Sequence, residues 1–288
     1  MRRGSVPRIL VVARLTLREA LRRRIVVAAL VMSGGFLLLY GLGLHYVAVE
    51  MAAARGSGAE ELIRRAAAAQ MLYLGLFPAA MLVALAAVFA GSGSVSADVD
   101  SGVAYAVLAR PVRRGEIVLG KFIGLAAMLA LYALILDGAI VGLARWQLRT
   151  PVADWPGALA LMALEPVTLL ALALLGSTRL PTLANGVLCS AAYAIAFVGG
   201  FIEQMGALIS NPTAVQLGIV ASLLMPIDAV HRKAISMLIP GGLLFGQGAI
   251  GLGLGESSTP SVWMIAYAAG YVVVLTALAG RVFQRRDL

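Results

Sequence analysis

Six stretches of this chain run for more than 20 residues with almost no charge, and no other feature limits its fold as strongly. They cover approximately residues 25–49, 68–91, 122–144, 157–178, 180–202 and 258–280, and Asp137 and Glu165 are the only charges inside them. A helix of about 20 apolar residues crosses the hydrocarbon core of a bilayer, whereas a charge at its centre costs about 3 kcal/mol. With 61% hydrophobic and 13% charged residues, the 288-residue chain also lacks the polar surface to coat a soluble globule. The expected fold is all-α, a polytopic membrane protein of about six transmembrane helices forming a single transmembrane domain over 1–288.

Two further uncharged stretches, 204–227 and 234–255, are interrupted by Asn211, Pro212 and Pro226 and by Pro240 and seven glycines. They are expected as short re-entrant or interfacial helices within a loop over 203–257. If both crossed, the count would rise by two and the ends would still share a side. Orientation follows from Lys and Arg: 16 of the 23 fall in segments that are cytoplasmic when the N-terminus is inside, and seven fall outside. Both termini are therefore expected in the cytoplasm, and 203–257 on the outer side of a plasma membrane, a bacterial cytoplasmic membrane in the first instance. The first apolar run, 25 residues long, exceeds the 7–15 of a signal-peptide core, so it is expected as a span and not a cleaved leader.

Several classes of function are disfavoured. The net charge of +9 reflects basic loops at the cytoplasmic face, so no nucleic-acid partner is expected. A single cysteine, Cys189, with only His45 and His231, offers neither a disulfide framework nor a Cys/His metal cluster. Gly115 to Lys121 satisfies the G-x-x-x-x-G-K spacing of a phosphate-cradling loop. Phe122 replaces the magnesium-binding hydroxyl, however, and a span follows where a strand should precede, so nucleotide binding is not expected. Ser33-Gly34-Gly35 lies inside an apolar span and reads as a spot where a neighbouring helix packs closely.

Two cytoplasmic segments stand out. In 1–24, Val6, Leu10, Ala13, Leu17, Ala20 and Leu21 share one helical face while Arg14, Arg18 and Arg22 recur on another, the pattern of an amphipathic interfacial helix. Val11, Val12 and Leu15 fall off that apolar face, and the segment serves equally as topogenic anchor or functional elbow. In the loop 92–121, Ser96 can cap a short helix whose first turn carries Asp98 and Asp100 at the positive end of the helix dipole, with Pro111 as its stop. Its functional alternative is an ordinary polar connector.

The pattern acid-x-acid-x-Gly-(x)5-Leu-x-x-Pro-x-x-Arg-(x)5-Gly-Lys, carried by Asp98, Asp100, Gly102, Leu108, Pro111, Arg114, Gly120 and Lys121, resembles the coupling loop of type-2 ATP-binding-cassette (ABC) transporter permeases. The loop lies between spans two and three, as in that family. The basic start from Ala13 to Arg24, the six-span count and the run Leu224-Met-Pro-Ile-Asp228 are similar too. Asp98 stands where the family usually has Glu, and Val103 where it usually has Thr. The resemblance implies the permease subunit of an exporter that carries no cofactor itself. ATP and magnesium would sit on a separate ABC ATPase subunit gripping this loop, and a second permease, identical or related, would complete the pathway among membrane lipids. It implies ATPase coupling by Asp98, Asp100, Gly102, Leu108, Pro111, Arg114 and Lys121.

Asp137 and Glu165 lie at matched depths, about 12 Å below the outer ends of a hairpin of spans three and four. They are read either as a polar patch on the substrate path or as an internally bonded packing feature, with Pro166 loosening the backbone beside Glu165. Two rival functions use the same acids: a proton-coupled secondary transporter, and a membrane-embedded enzyme with paired carboxylates. No catalytic or metal-site residues are expected on the leading reading. Cysteines introduced at Ser57, Asp154 or Ser257 in a Cys189→Ala background should react with an impermeant thiol reagent from outside intact cells, and those at Ser5 or Arg113 should not. Outside labelling at Arg113 would reverse the orientation.

Overall fold

The computed structural model describes residues 8–53, 58–102, 114–148, 152, 154–239 and 260–285. In chain order the described helices are α1 (Arg8–Leu21), α2 (Arg24–Ala53), α3 (Gly58–Ser92), α4 (Ser96–Asp100), α5 (Arg114–Leu148), α6 (Trp155–Ser177), α7 (Thr182–Leu208), α8 (Pro212–Leu224), α9 (Ile227–Leu238) and α10 (Val262–Gln284). No strand occurs among the described residues. Six helices, α2, α3, α5, α6, α7 and α10, are long and apolar enough to cross a membrane, and they coincide with the six uncharged stretches.

Helix α6 is the central post, packed against α3, α5, α9 and α10. Leu169, Leu170, Ala171, Ala173 and Leu174 on it have no exposed surface. Lipid is as apolar as these side chains, so close packing and hydrogen bonding hold such a bundle together more than expulsion of water does. By contrast α2 lies at the periphery, with Leu38 and Leu39 more than 70% exposed and only Ser33 and Leu44 buried. On one side, the α1 face, α1 and α4 gather with the last turn of α10, where Phe283 packs with Val95 and Val118. The end of α5, the start of α6 and the end of α7 lie on the opposite face.

The docked side of α1 differs from the expected apolar face. Ala13 and Ala20 are buried, Val12, Thr16 and Leu17 are half-buried, and Leu10 and Leu21 are exposed. The reason is on α5, where a Cβ on Gly120 would lie 2.6 Å from Val12 Cβ and one on Gly124 would lie 2.5 Å from the Ala13 carbonyl oxygen. Backbone approach this close selects the small side of α1 and turns the larger leucines outward. The Ser33-Gly34-Gly35 expectation also fails within the chain: nothing lies within 4 Å of a Cβ built on either glycine, and Ser33 instead meets the Tyr132 hydroxyl at 2.5 Å.

Helices α8 and α9 form a pair bent by 104°. At 13 and 12 residues each is about 20 Å long, too short to cross alone. The pair is re-entrant: Asn211 follows the end of α7 on the opposite face, and at the far end of α9 the Asp154 amide donates to the Met237 carbonyl at 3.1 Å, beside the start of α6. Asn211 caps α8 by accepting from the Thr213 and Ala214 amides, and Ser210 turns the chain with φ 56°. The Tyr267 and Tyr271 hydroxyls of α10 donate to the Leu223 and Leu224 carbonyls, satisfying acceptors left open where α8 ends. The charged run Asp228–Lys233, expected as a connection between two apolar segments, lies within α9, and 240–259 fall outside the described residues. Gly218 lets α8 approach α7, since a Cβ there would lie 2.7 Å from the Gly199 carbonyl oxygen. Gly218→Val should therefore leave membrane insertion intact and destabilise the fold by about 2 kcal/mol. Retention of the monodisperse peak after heating, at the wild-type midpoint, would contradict this close fit.

Candidate functional site

Four helices, α5, α6, α7 and α9, bring six ionisable side chains into the half of the bundle nearer the opposite face. On α9, Asp228, His231, Arg232 and Ile235 recur at i, i+3, i+4 and i+7, so they share one side of the helix, and that side faces inward. Arg232, 4% exposed, donates from Nη1 and Nη2 to both oxygens of Glu203 on α7 at 3.1 and 2.7 Å, and from Nε to Asp228 at 2.8 Å. Gly200 on α7 has no side chain because the Asp228 carboxylate fills that place. His231 Nδ1 lies 3.1 Å from Glu165 Oε1 on α6. Its Nε2 is buried with no hydrogen-bond partner among the described residues.

Asp137 on α5 is buried and within electrostatic reach of Glu165 and His231, with no hydrogen bond or ion pair to it among the described residues. The helices extend further than the sequence indicates, so Asp137 and Glu165 lie about 16 and 15 Å from their helix ends at Leu148 and Trp155. Their matched depth holds. Pro166 has no amide hydrogen for the Met162 carbonyl, which leaves a backbone acceptor beside Glu165.

Sequence reasoning found Asp137 and Glu165 and missed Glu203, Asp228, His231 and Arg232. Charges in the 203–257 segment read as markers of an aqueous loop, and Glu203 fell one residue beyond the expected end of its span. The available signal was the i, i+3, i+4, i+7 spacing on α9. Glu165, Asp228, His231 and Arg232 line a cleft of about 400 Å³ between α3, α6, α7 and α9, whose other walls include Tyr73, Phe77, Tyr193, Phe197 and Phe201, while Glu203 and Asp137 stand outside its lining. No group of three acids, histidines or cysteines converges well enough to hold a metal ion among the described residues.

The second region lies on the α1 face. Ser96 is the first residue of α4, not its cap; its hydroxyl donates to the Ser92 carbonyl and meets Thr182 Oγ1 at 3.0 Å. Helix α4 ends at Asp100, and Gly102 follows in the left-handed region at φ 77°, so the stop is glycine and not Pro111. Lys121 forms an ion pair with Asp98 and donates to the Ser94 carbonyl, while Asp100 is exposed. Ser94 Oγ lies 3.3 Å from Ser177 Oγ, and Asn185 Nδ2 donates to the Ser92 and Ala173 carbonyls at 3.0 and 2.7 Å. Four helices, α3, α5, α6 and α7, are thus knotted at the base of this loop. Arg114 opens α5, and Gly120 serves the contact with α1. Gly115 to Lys121 forms the first two turns of α5 and not a loop, and its lysine is committed to Asp98. Leu108 and Pro111 lie outside the described residues.

Arg232→Leu should cost about 3–5 kcal/mol, because it strands two buried carboxylates. Adding Glu203→Leu should recover part of the loss, measured as the thermal midpoint in detergent. A double variant no better than the single one would mean that the pairing is not what holds α9 to α7.

A family model described as ABC-2 family transporter protein matches residues 10–288. No curated protein matches the chain.

Proposed function

Because the chain belongs to the ABC-2 transporter family across residues 10–288, and is thereby a permease component of an ABC transporter, we propose that it forms half of an export pathway driven by a separate ATPase subunit. A second permease copy or a related chain completes the pathway, ATP and magnesium are held by the ATPase, and both termini lie in the cytoplasm at a plasma membrane. The observation that carries this reading is the knot beneath the 92–121 loop. A force applied to the loop reaches α5 through the Asp98–Lys121 pair, α6 through Ser94 and Ser177, and α7 through Ser96 and Thr182. Rigid helices joined this way convert a push on the loop into rocking of the spans.

The roles within the loop divide. Asp98 and Lys121 brace its base from within. Asp100 is exposed and available to the ATPase, Leu108 supplies apolar contact in its groove, Gly102 sets the turn after α4, and Pro111 with Arg114 directs the chain into α5. Changes at the centre of such an interface are worth about 2 kcal/mol or more each. Asp100→Lys with Leu108→Arg should therefore reduce capture of the co-expressed ATPase in detergent at least tenfold, with membrane expression unchanged. Lys121→Met should retain capture and lower transport-coupled ATP hydrolysis. Undiminished capture by the first variant would remove the loop from the coupling role.

A further inference from the structure

The cleft between α3, α6, α7 and α9 combines aromatic walls with an excess of carboxylates. Tyr73 and Phe77 stack with centroids 6.2 Å apart, and Phe77 meets Phe197 at 5.5 Å. With Tyr193 and Phe201, five of the 19 aromatic residues of the chain line this one space. Behind and beside them, Glu165, Glu203, Asp228 and Asp137 stand against one guanidinium and one imidazole. Arg232 is taken up by Glu203 and Asp228. Lys233 lies about 200° around α9 from His231 and is not among the residues lining the cleft. The carboxyl groups outnumber the cationic side chains four to two.

We propose that this cleft is the substrate-recognition site of the permease and that it takes an organic ammonium ion carrying an apolar, aromatic body. The proposal rests on the permease reading and adds the class of substrate. Aromatic faces attract a cation through their quadrupoles, more strongly when it is desolvated. Glu165 supplies the counter-charge. His231 Nδ1, 3.1 Å from Glu165 Oε1, fixes that carboxylate against the cleft wall. A metal ion is the wrong occupant, since no three ligating groups converge among the described residues. The aromatic walls fit the body of an amine and have no counterpart in metal coordination. Leu74, Phe197 and Phe201 at the rim are each 40% exposed or more, so the mouth opens sideways toward lipid or a second permease, the route by which an amphiphile arrives.

The test uses the full chain in nanodiscs of zwitterionic lipid, with empty nanodiscs subtracted. Equilibrium dialysis compares radiolabelled imipramine, a tricycle with an ammonium tail, with the same tricycle carrying a propionate tail. The ammonium form should bind at least tenfold more tightly. Glu165→Gln, which keeps an acceptor for His231, should erase that preference, and Phe77→Ala should weaken both ligands at least threefold. Equal binding of the two ligands, binding of neither above background, or an unchanged preference in Glu165→Gln overturns the proposal. The wild-type comparison stands even if a variant fails to fold. Capture of the ATPase by the same preparation separates the two readings: capture without ammonium selectivity leaves the permease reading intact and removes the substrate class.

Discussion

The buried guanidinium of Arg232 sets the arrangement of the half of the bundle around the cleft. An arginine withdrawn from water and from lipid headgroups has to find carboxylates, and it finds Glu203 across the interface and Asp228 one turn back on its own helix. Once those bonds are made, α9 has one rotation and one depth against α7. That placement carries His231 to Glu165 and closes the cleft. The glycines at 200 and 218 are the steric counterpart, giving room to the Asp228 carboxylate and to the backbone of α8. A hydrophobic replacement of the whole cluster would pack equally well. The charges therefore specify geometry more than they add stability.

The opposite strategy operates at the α1 face. There the contacts are neutral hydrogen bonds among serines, a threonine and Asn185, with the Asp98–Lys121 pair as the charged member. Small hydroxyls tie helix ends together without bulk, and α1 docks through Gly120 and Gly124 in the same economical way. The result is a stiff floor from which the 103–113 segment departs.

Three helices join floor and cleft, and α3 runs from Ser92 in the knot to Phe77 and Tyr73 in the cleft wall. Helix α6 carries Ser177 in the knot and Glu165 in the cleft, about 18 Å apart along its axis, and α7 carries Thr182 and Asn185 at one end and Glu203 near the other. On the proposed function, a displacement of the loop would be passed to the cleft by these elements without a chain of side-chain rearrangements. The bent α8–α9 pair, held to α7 by Arg232 and to α10 by Tyr267 and Tyr271, moves with them or resists them. On the proposed function, these helices would give the coupling of an ATPase subunit to the cleft a physical route across most of the membrane thickness.

Uncharged length determined the six spans, because in a bilayer every backbone polar group must be satisfied within its own helix and every charge is costly. The matched depth of Asp137 and Glu165 was legible for the same reason, since it depends on distance along one helix. Which side of α1 docks, where α4 stops and what Gly34 and Gly35 face were not, since each depends on what another helix presents. Residues 228–233 show the limit most clearly. In sequence a run of acid, histidine, arginine and lysine reads as water-facing, and its burial rests on Glu203, 29 residues from Arg232, and Glu165, 66 residues from His231. Local chemistry determined where the chain can cross the membrane. Tertiary structure decided which charges it could bury, because a buried charge is stable only beside a partner brought from elsewhere in the chain.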